Sequence, residues 1–291
     1  MSADFAFTTE DRVFLRHGDT ALGMRIYRPE VTGPSPAVID LHGGAWSKGN
    51  LDECDARDRV LAKHGILAIA IDFRQASDGY PSAVQDINYA VRWVKANASM
   101  LGTRPDWVSM TGQSSGGHLA MLSAMRPNDS RYSALPLPAG SAAVDASVRS
   151  ICMTWPVINP LSRLRHLERH TAAGTIPPQY EAIAERQTSF WQNEANMIDG
   201  NPMLMLEKGE KVELPPTLWI QGRPDFMHDY RDPDSPVDAN EPERFAANYR
   251  KAGGQIKIAD IGLDDRDALS THEAVAQFFL AQTPGMAAAA E

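Results

Sequence analysis

Trp107-Val108-Ser109-Met110-Thr111-Gly112-Gln113-Ser114-Ser115-Gly116-Gly117-His118-Leu119-Ala120-Met121-Leu122-Ser123-Ala124 changes character twice within one short stretch. Trp107 to Thr111 is a compact run suited to a strand, and His118 to Ala124 is helix-prone. Between them stands Gly112-Gln113-Ser114-Ser115-Gly116, a Gly-x-Ser-x-Gly pattern. Small residues around such a serine permit a strained strand-to-helix turn that lifts its hydroxyl above a sheet. The spacing selects Ser114 rather than Ser115 as the nucleophile. Strand before and helix after is the context this turn requires; the bland alternative is a glycine-rich turn without chemistry.

Upstream, Ala37 to Leu41 and Ile66 to Phe73 are apolar runs without alternation, as expected of parallel strands covered on both faces. Asp52 to His64 has helical spacing and is followed by Gly65. Val84, Ile87, Ala90, Val91 and Val94 recur at three and four residues, so Pro81 to Ala98 is expected to be an amphipathic helix. Earlier still, Arg12–Phe14 and Met24–Tyr27 suggest an antiparallel edge joined through His17-Gly18-Asp19. Alternation of strand and helix is the signature of an α/β architecture.

Downstream, the pattern breaks after Met125 and returns as a strand at Val148 to Trp155. Leu161 to Glu207 is helical and aromatic-bearing, and such an insert is expected to cap the site. Pro215 to Gln221 and Gln255 to Ile261 complete the sheet, with a helix at Glu241 to Ala252 between them. Ser270-Thr271-His272-Glu273 has capping-box spacing and is expected to open the final helix, with a frayed Ala-rich tail after Pro284. The expectation is one domain over residues 1–291, a mostly parallel sheet with helices on both faces, and cap segments at about 126–147 and 157–207.

Composition narrows the function classes. A formal net charge of -9 disfavours non-specific binding to nucleic acid or to anionic membrane. The longest central apolar run, Ile66 to Ile71, falls far short of the ~20 residues of a membrane span. Met1 to Arg12 lacks a basic start and apolar stretch, so a cytoplasmic protein is expected. Cys54 and Cys152 are the only cysteines, and they are read as small apolar fillers. A small-molecule substrate is the expected partner; homodimer formation is left open.

His42-Gly43-Gly44-Ala45-Trp46 follows the strand ending at Leu41. Without Cβ atoms, Gly43 and Gly44 can aim their N–H groups at a developing oxyanion, with His42 supporting the loop and the Ser115 amide completing the hole.

Together with Tyr27-Arg28-Pro29, Asp72-Phe73-Arg74, Tyr80-Pro81-Ser82-Ala83, Asp86, Arg92-Trp93-Val94, Gly112 to Ala120 and Pro215-Pro216, this loop makes the chain resemble the α/β-hydrolase fold. The likeness is to its hormone-sensitive-lipase-like and feruloyl-esterase/formamidase-like branch, from about Val13 to Leu280. The resemblance implies hydrolysis of an ester or amide through an acyl-serine, without metal or organic cofactor, and small or medium esters are the expected substrates. It also implies an acid in the Gly-x-x-Asp turn after the post-cap strand: Asp225 of Gly222-Arg223-Pro224-Asp225, with Asp229 in reserve. Relatives carry the histidine soon after the last strand, but this chain has Gly262-Leu263-Asp264-Asp265-Arg266-Asp267 there. His272 is the sole histidine beyond the Asp225 loop and is expected to fold back as the base, with His228 as a minor alternative.

Other candidates carry less. His118 is expected to pack in the helix after the serine, and His64 to sit at a helix end where a cation suits the dipole. His166 and His170 are four apart, but no third metal ligand is evident nearby. Trp155, Phe190, Trp191 and Phe226 fall in segments expected to face the serine, where they can shape an acyl or aryl pocket or simply fill the core, and Trp46, Trp191 and Phe226 are taken as substrate contacts. Rival functions are an amidase or aryl-formamidase on the same fold, and a non-catalytic ligand-binding homologue with a degraded triad.

Overall fold

Eight strands form a single sheet in the order β1-β2-β4-β3-β5-β6-β7-β8. In this computed structural model, which describes residues 4–285, they are β1 Phe7–His17, β2 Thr20–Pro29, β3 Ala37–Leu41, β4 Leu67–Ile71, β5 Val108–Gln113, β6 Ile151–Thr154, β7 Thr217–Arg223 and β8 Ile256–Gly262. The first pair is antiparallel, as is β2 on β4, and every later pairing is parallel. The expected edge hairpin is present and longer than its apolar residues alone suggested. Its turn at Gly18-Asp19 uses a positive φ of 58° at Gly18.

The helices are α1 Asp55–Lys63, α2 Ser82–Ala96, α3 Ala98–Leu101, α4 Ser115–Met125, α5 Pro160–Ala172, α6 Ile183–Trp191, α7 Glu194–Asp199, α8 Pro202–Glu207, α9 Glu241–Lys251 and α10 Leu269–Gln282. Successive side chains of a strand point to opposite faces, so Val38 joins a cluster with Leu61, Val275 and Phe279 under α1 and α10. Ile39 joins the larger cluster with Val84, Leu119 and Phe245 under α2, α4 and α9. The sheet is thus buried on both faces, which explains why β3 and β4 are wholly apolar or small except for Asp40.

The chain leaves β3 toward β4 on one side and returns as β5 on the other. Such a reversal opens a crevice at the carboxyl ends of the strands, where ligands bind in open α/β sheets. Leu41 pairs with Gly112, so the His42–Trp46 loop and Ser114 leave the sheet side by side. The insert α5–α8 packs onto this edge through Ser47 Oγ, which donates to the Arg186 carbonyl at 2.5 Å, and Tyr80 N, which donates to the Phe190 carbonyl at 3.0 Å. Residues 126–147 hold neither helix nor strand.

One helix start differs from the expectation. The final helix begins at Leu269 with Ala268 as its N-cap, and no side chain caps it. Thr271 Oγ1 instead donates back to the Asp265 carbonyl at 2.7 Å, so the Ser270 capping box does not form. The tail expected to fray lies largely outside the described residues.

Candidate active site

The backbone is strained where the site is built. Of six non-glycine residues with positive φ among the described residues, four follow parallel strands: Ala45 and Trp46 after β3, Ser114 after β5 and Trp155 after β6. Strained residues of this kind persist only where surrounding structure over-determines them, and they cluster at functional sites. Ser114 has φ 51° and ψ -116°, and its amide donates to the Thr154 carbonyl at 3.0 Å. A Cβ on Gly116 would lie 2.3 Å from the Leu41 carbonyl oxygen, and one on Gly112 2.6 Å from the Gly116 carbonyl carbon. Those glycines are therefore required by close backbone approach, which is the physical content of the pattern around Ser114.

The preceding loop is equally constrained. Gly44 has φ 106°, and a Cβ there would meet the Lys48 carbonyl oxygen at 1.9 Å. His42 is fully buried, stacks on Phe73 at 4.3 Å and donates from Nδ1 to the Gly43 carbonyl at 2.8 Å. Burial holds its proton affinity below the ordinary histidine range. The amides of Gly43 and Gly44 donate to no backbone group among the described residues, and that of Ser115 is the first of α4, a position without an intrahelical acceptor. Three N–H groups without a backbone acceptor thus stand in the two turns that leave the paired ends of β3 and β5.

Ser114 Oγ donates to His228 Nε2 at 3.0 Å, and His228 Nδ1 donates to Asp225 Oδ2 at 2.8 Å. The loop after β7 makes this possible by turning once: Asp229 N donates to the Asp225 carbonyl at 3.0 Å, and Met227 N to Asp225 Oδ1 at 2.9 Å. Residues three apart on one turn lie on the same side. Asp225 also accepts from Gln221 Nε2 at 3.2 Å and from Arg266 Nη2. Burial alone would raise its carboxyl, but His228 and then Arg266 outweigh that and hold it well below the carboxylate range. Burial lowers the His228 imidazole, against the pull of Asp225, and the cations Arg266 and Arg163 push it the same way as burial.

His272, expected as the base, does not reach Ser114. It lies on the first turn of α10 with its Nε2 buried and unpartnered, and burial and then Arg57 of α1 lower its proton affinity. The physical reason is the early start of α10, which ties residues 263–271 into a short turn through Ala268 N to the Asp265 carbonyl, leaving no free loop to fold back. The place after β8 is taken by Arg266, whose guanidinium lies 4.8 Å from the Trp155 ring and pairs with Asp225. No pattern in the sequence points to Arg266. For His228 the signal is weak, namely the Asp-x-x-His spacing from Asp225.

Asp229, the reserve acid, faces elsewhere, accepting from Asn240 Nδ2 at 2.7 Å and pairing with Arg223 at 3.2 Å. Trp46 and Trp191 are buried in one aromatic cluster with Tyr80, His118 and Phe190. Trp46 Nε1 donates to His118 Nδ1 at 3.2 Å, and His118 Nε2 donates to the Gly200 carbonyl at 2.8 Å. This leaves His118 neutral, with burial lowering it to about 3. Phe226 is half-buried and stacks on Tyr180, with His166 and His170 against it. His64 donates from Nδ1 to the Val60 carbonyl at 2.8 Å at the end of α1. Cys54 and Cys152 are buried and unpaired. The single group of three metal-type ligands among the described residues, Asp40, Cys54 and Asp58, excludes every histidine, and Asp40 there is already clasped by Arg57 at 2.6 and 2.7 Å.

The chain is 29% identical over 203 residues to the probable carboxylic ester hydrolase LipM of Mycobacterium tuberculosis, a match covering 68% of this chain and 43% of that protein. It is 35% identical over 124 residues to the carboxylesterase NlhH of the same organism, covering 41% of this chain and 39% of that one. The chain therefore spans less than half the length of these relatives. A structure of the Pyrobaculum calidifontis esterase superposes with a TM-score of 0.70 at 22% identity, covering 94% of this chain and 85% of that one, and shares its fold. No helix among the described residues is long and apolar enough to cross a membrane. With the sheet order, the serine turn and a family match over residues 24–230, the chain has the α/β-hydrolase fold and belongs to the BD-FAE family.

Proposed function

We propose that this protein is a serine carboxylic ester hydrolase in which Ser114, His228 and Asp225 act as nucleophile, base and acid. The observation that carries this reading is the chain of two hydrogen bonds, 3.0 Å from Ser114 Oγ to His228 Nε2 and 2.8 Å from His228 Nδ1 to Asp225. With Nδ1 protonated toward Asp225, Nε2 has a free lone pair for the serine proton. Ser114 Oγ attacks the ester carbonyl, and its proton passes to His228. The new oxyanion sits among the amides of Gly43, Gly44 and Ser115, preorganised donors that need no reorganisation as its charge develops. His228 then gives its proton to the departing alcohol, and a water activated by the same imidazole releases the acid. Asp225, held ionised, stabilises the imidazolium during both steps.

The insert at residues 157–207 acts as the cap of this site, and the segment 126–147, without helix or strand, flanks it. The non-catalytic alternative rests on a missing histidine, and the placement of His228 supports the catalytic reading instead. The buried, unpaired thiols of Cys54 and Cys152 are compatible with the cytoplasm.

A fluorophosphonate probe should label wild type at Ser114 and leave Ser114→Ala unlabelled, with matched hydrolysis of p-nitrophenyl butyrate. Absence of both labelling and hydrolysis in wild type would sink the reading. Comparing butyrate ester with the corresponding anilide decides between esterase and amidase, and the ester is expected to turn over faster.

A further inference from the structure

The two most deeply buried arginines among the described residues differ in one respect: only one is neutralised. Arg57, 3% exposed, holds Asp40 with two hydrogen bonds of 2.6 and 2.7 Å. Arg163, 1% exposed on the first turn of α5, forms no ion pair with any described residue. Its Nε donates to Gln187 Oε1 at 2.9 Å, while Nη2 is buried with no acceptor at all. The guanidinium lies 4.8 Å from the Trp46 ring centroid. An unpaired charge removed from water is among the costliest features a fold can carry, and it is ordinarily paired or hydrogen-bonded.

The location says what could pair with it. Trp46 belongs to the loop that supplies Gly43 and Gly44, and its indole bonds to His118, one turn along α4 from Ser114. On the other side, Arg163 lies close enough to lower the proton affinity of both His118 and His228. The negative groups that it senses are Tyr230, whose hydroxyl burial keeps neutral, and Asp225, already shared by His228 and Arg266. Burial lowers Arg163 only to about 10, so it stays cationic at neutral pH. A fixed cation whose Nη2 has no partner therefore packs against Trp46 of the loop that carries Gly43 and Gly44, and acts through space on His228. Guanidinium edges match carboxylates in geometry as well as charge.

We propose that Arg163 is a recognition residue for a carboxylate carried by the substrate, so that the preferred ester is a monoanionic one rather than a neutral one. This rests on the esterase reading above. The carboxylate can belong to the acyl part, as in a dicarboxylic acid monoester, or to the alcohol part. In either case Ser114 breaks the same ester C–O bond, and the carboxylate is bound without being transformed.

Two substrate pairs separate these sources. The acyl pair is p-nitrophenyl hemisuccinate against p-nitrophenyl 4-methylpentanoate; the alcohol pair is the acetate ester of 4-hydroxybenzoate against that of 4-hydroxybenzamide. Wild type should favour the acidic member of one pair in kcat/KM on the order of 10- to 100-fold, the scale of a hydrogen bond to a charged group. R163M should abolish that ratio and R163K should keep part of it. Thermal melting of R163M, which loses the bond to Gln187 Oε1 but no ion pair, checks that the variant is folded. If wild type hydrolyses neutral members as fast as acidic ones in both pairs, the carboxylate assignment falls while the esterase reading stands. If it hydrolyses none of the four, both fall. A preference that survives in R163M overturns the role of Arg163. Because the wild-type ratios alone can overturn the carboxylate assignment, poor folding of a variant does not shield the proposal.

Discussion

The two halves of the site are built by different means. At the ends of β3 and β5, the proposed function rests on the backbone: Gly44 at φ 106° and Ser114 at φ 51° are conformations that small residues and close packing impose. At the ends of β7 and β8, the proposed function rests on side chains that converge from separate loops, Asp225 and His228 from one and Arg266 from the other. Backbone-dictated chemistry must be written in adjacent residues, because each tight turn needs its glycines in place. Side-chain convergence needs only that a loop bend the right way, and several sequences and several positions can deliver the same imidazole.

The largest expected effects test that contrast directly. Ser114→Ala and His228→Ala should each cut kcat on a short-chain aryl ester by ~10³-fold or more, with the double variant little worse, because members of a triad act as a unit. His272→Ala should stay within about threefold of wild type, the ordinary scale for a residue outside the chemistry. Steady-state kinetics on purified variants checks both. Comparable losses in His272→Ala and His228→Ala would break the contrast, since two loops would then be sharing one role.

On the backbone side, Gly44→Val should cost ~10²-fold or more in kcat, the scale of one lost oxyanion donor. The added side chain would collide with the Lys48 carbonyl, 1.9 Å from even a Cβ. Circular dichroism should show the fold retained, because the loop lies outside the sheet. A fully active Gly44→Val enzyme would show that the loop makes no such contribution.

The smallest expected effects concern the proton. His228 accepts a proton only when neutral, so kcat/KM should rise with pH through one ionisation, and burial with Arg266 and Arg163 nearby places its midpoint below the ordinary value of about 6.5. Arg266→Met removes one of the cations that disfavour imidazolium. His228 should then protonate more readily, and the acid limb should move to higher pH with an activity loss of roughly tenfold at its optimum, the lower range for a group that orients catalytic partners. An acid limb that stays put in Arg266→Met would separate Arg266 from the proton chemistry and leave it a packing partner of Trp155.

What the amino-acid sequence determined by itself was the doubly covered sheet, the strained turn that carries Ser114 and the glycine loop after β3. Unbroken apolar runs can be satisfied only between two helical layers, as Val38 and Ile39 show by facing opposite clusters. Glycines at 112, 116 and 44 admit the close approaches that no other residue allows. Asp225 was also within reach, because its turn directly follows a recognisable strand. Which of His228 and His272 lies against Ser114 was decided only by tertiary structure. It depended on one turn of backbone after Asp225 and on α10 starting at Leu269, and the sequence marks these only weakly, by the Asp-x-x-His spacing. The unpaired charge of Arg163 was hidden for the same reason: an arginine in an amphipathic helix reads as surface until the fold shows that nothing answers it.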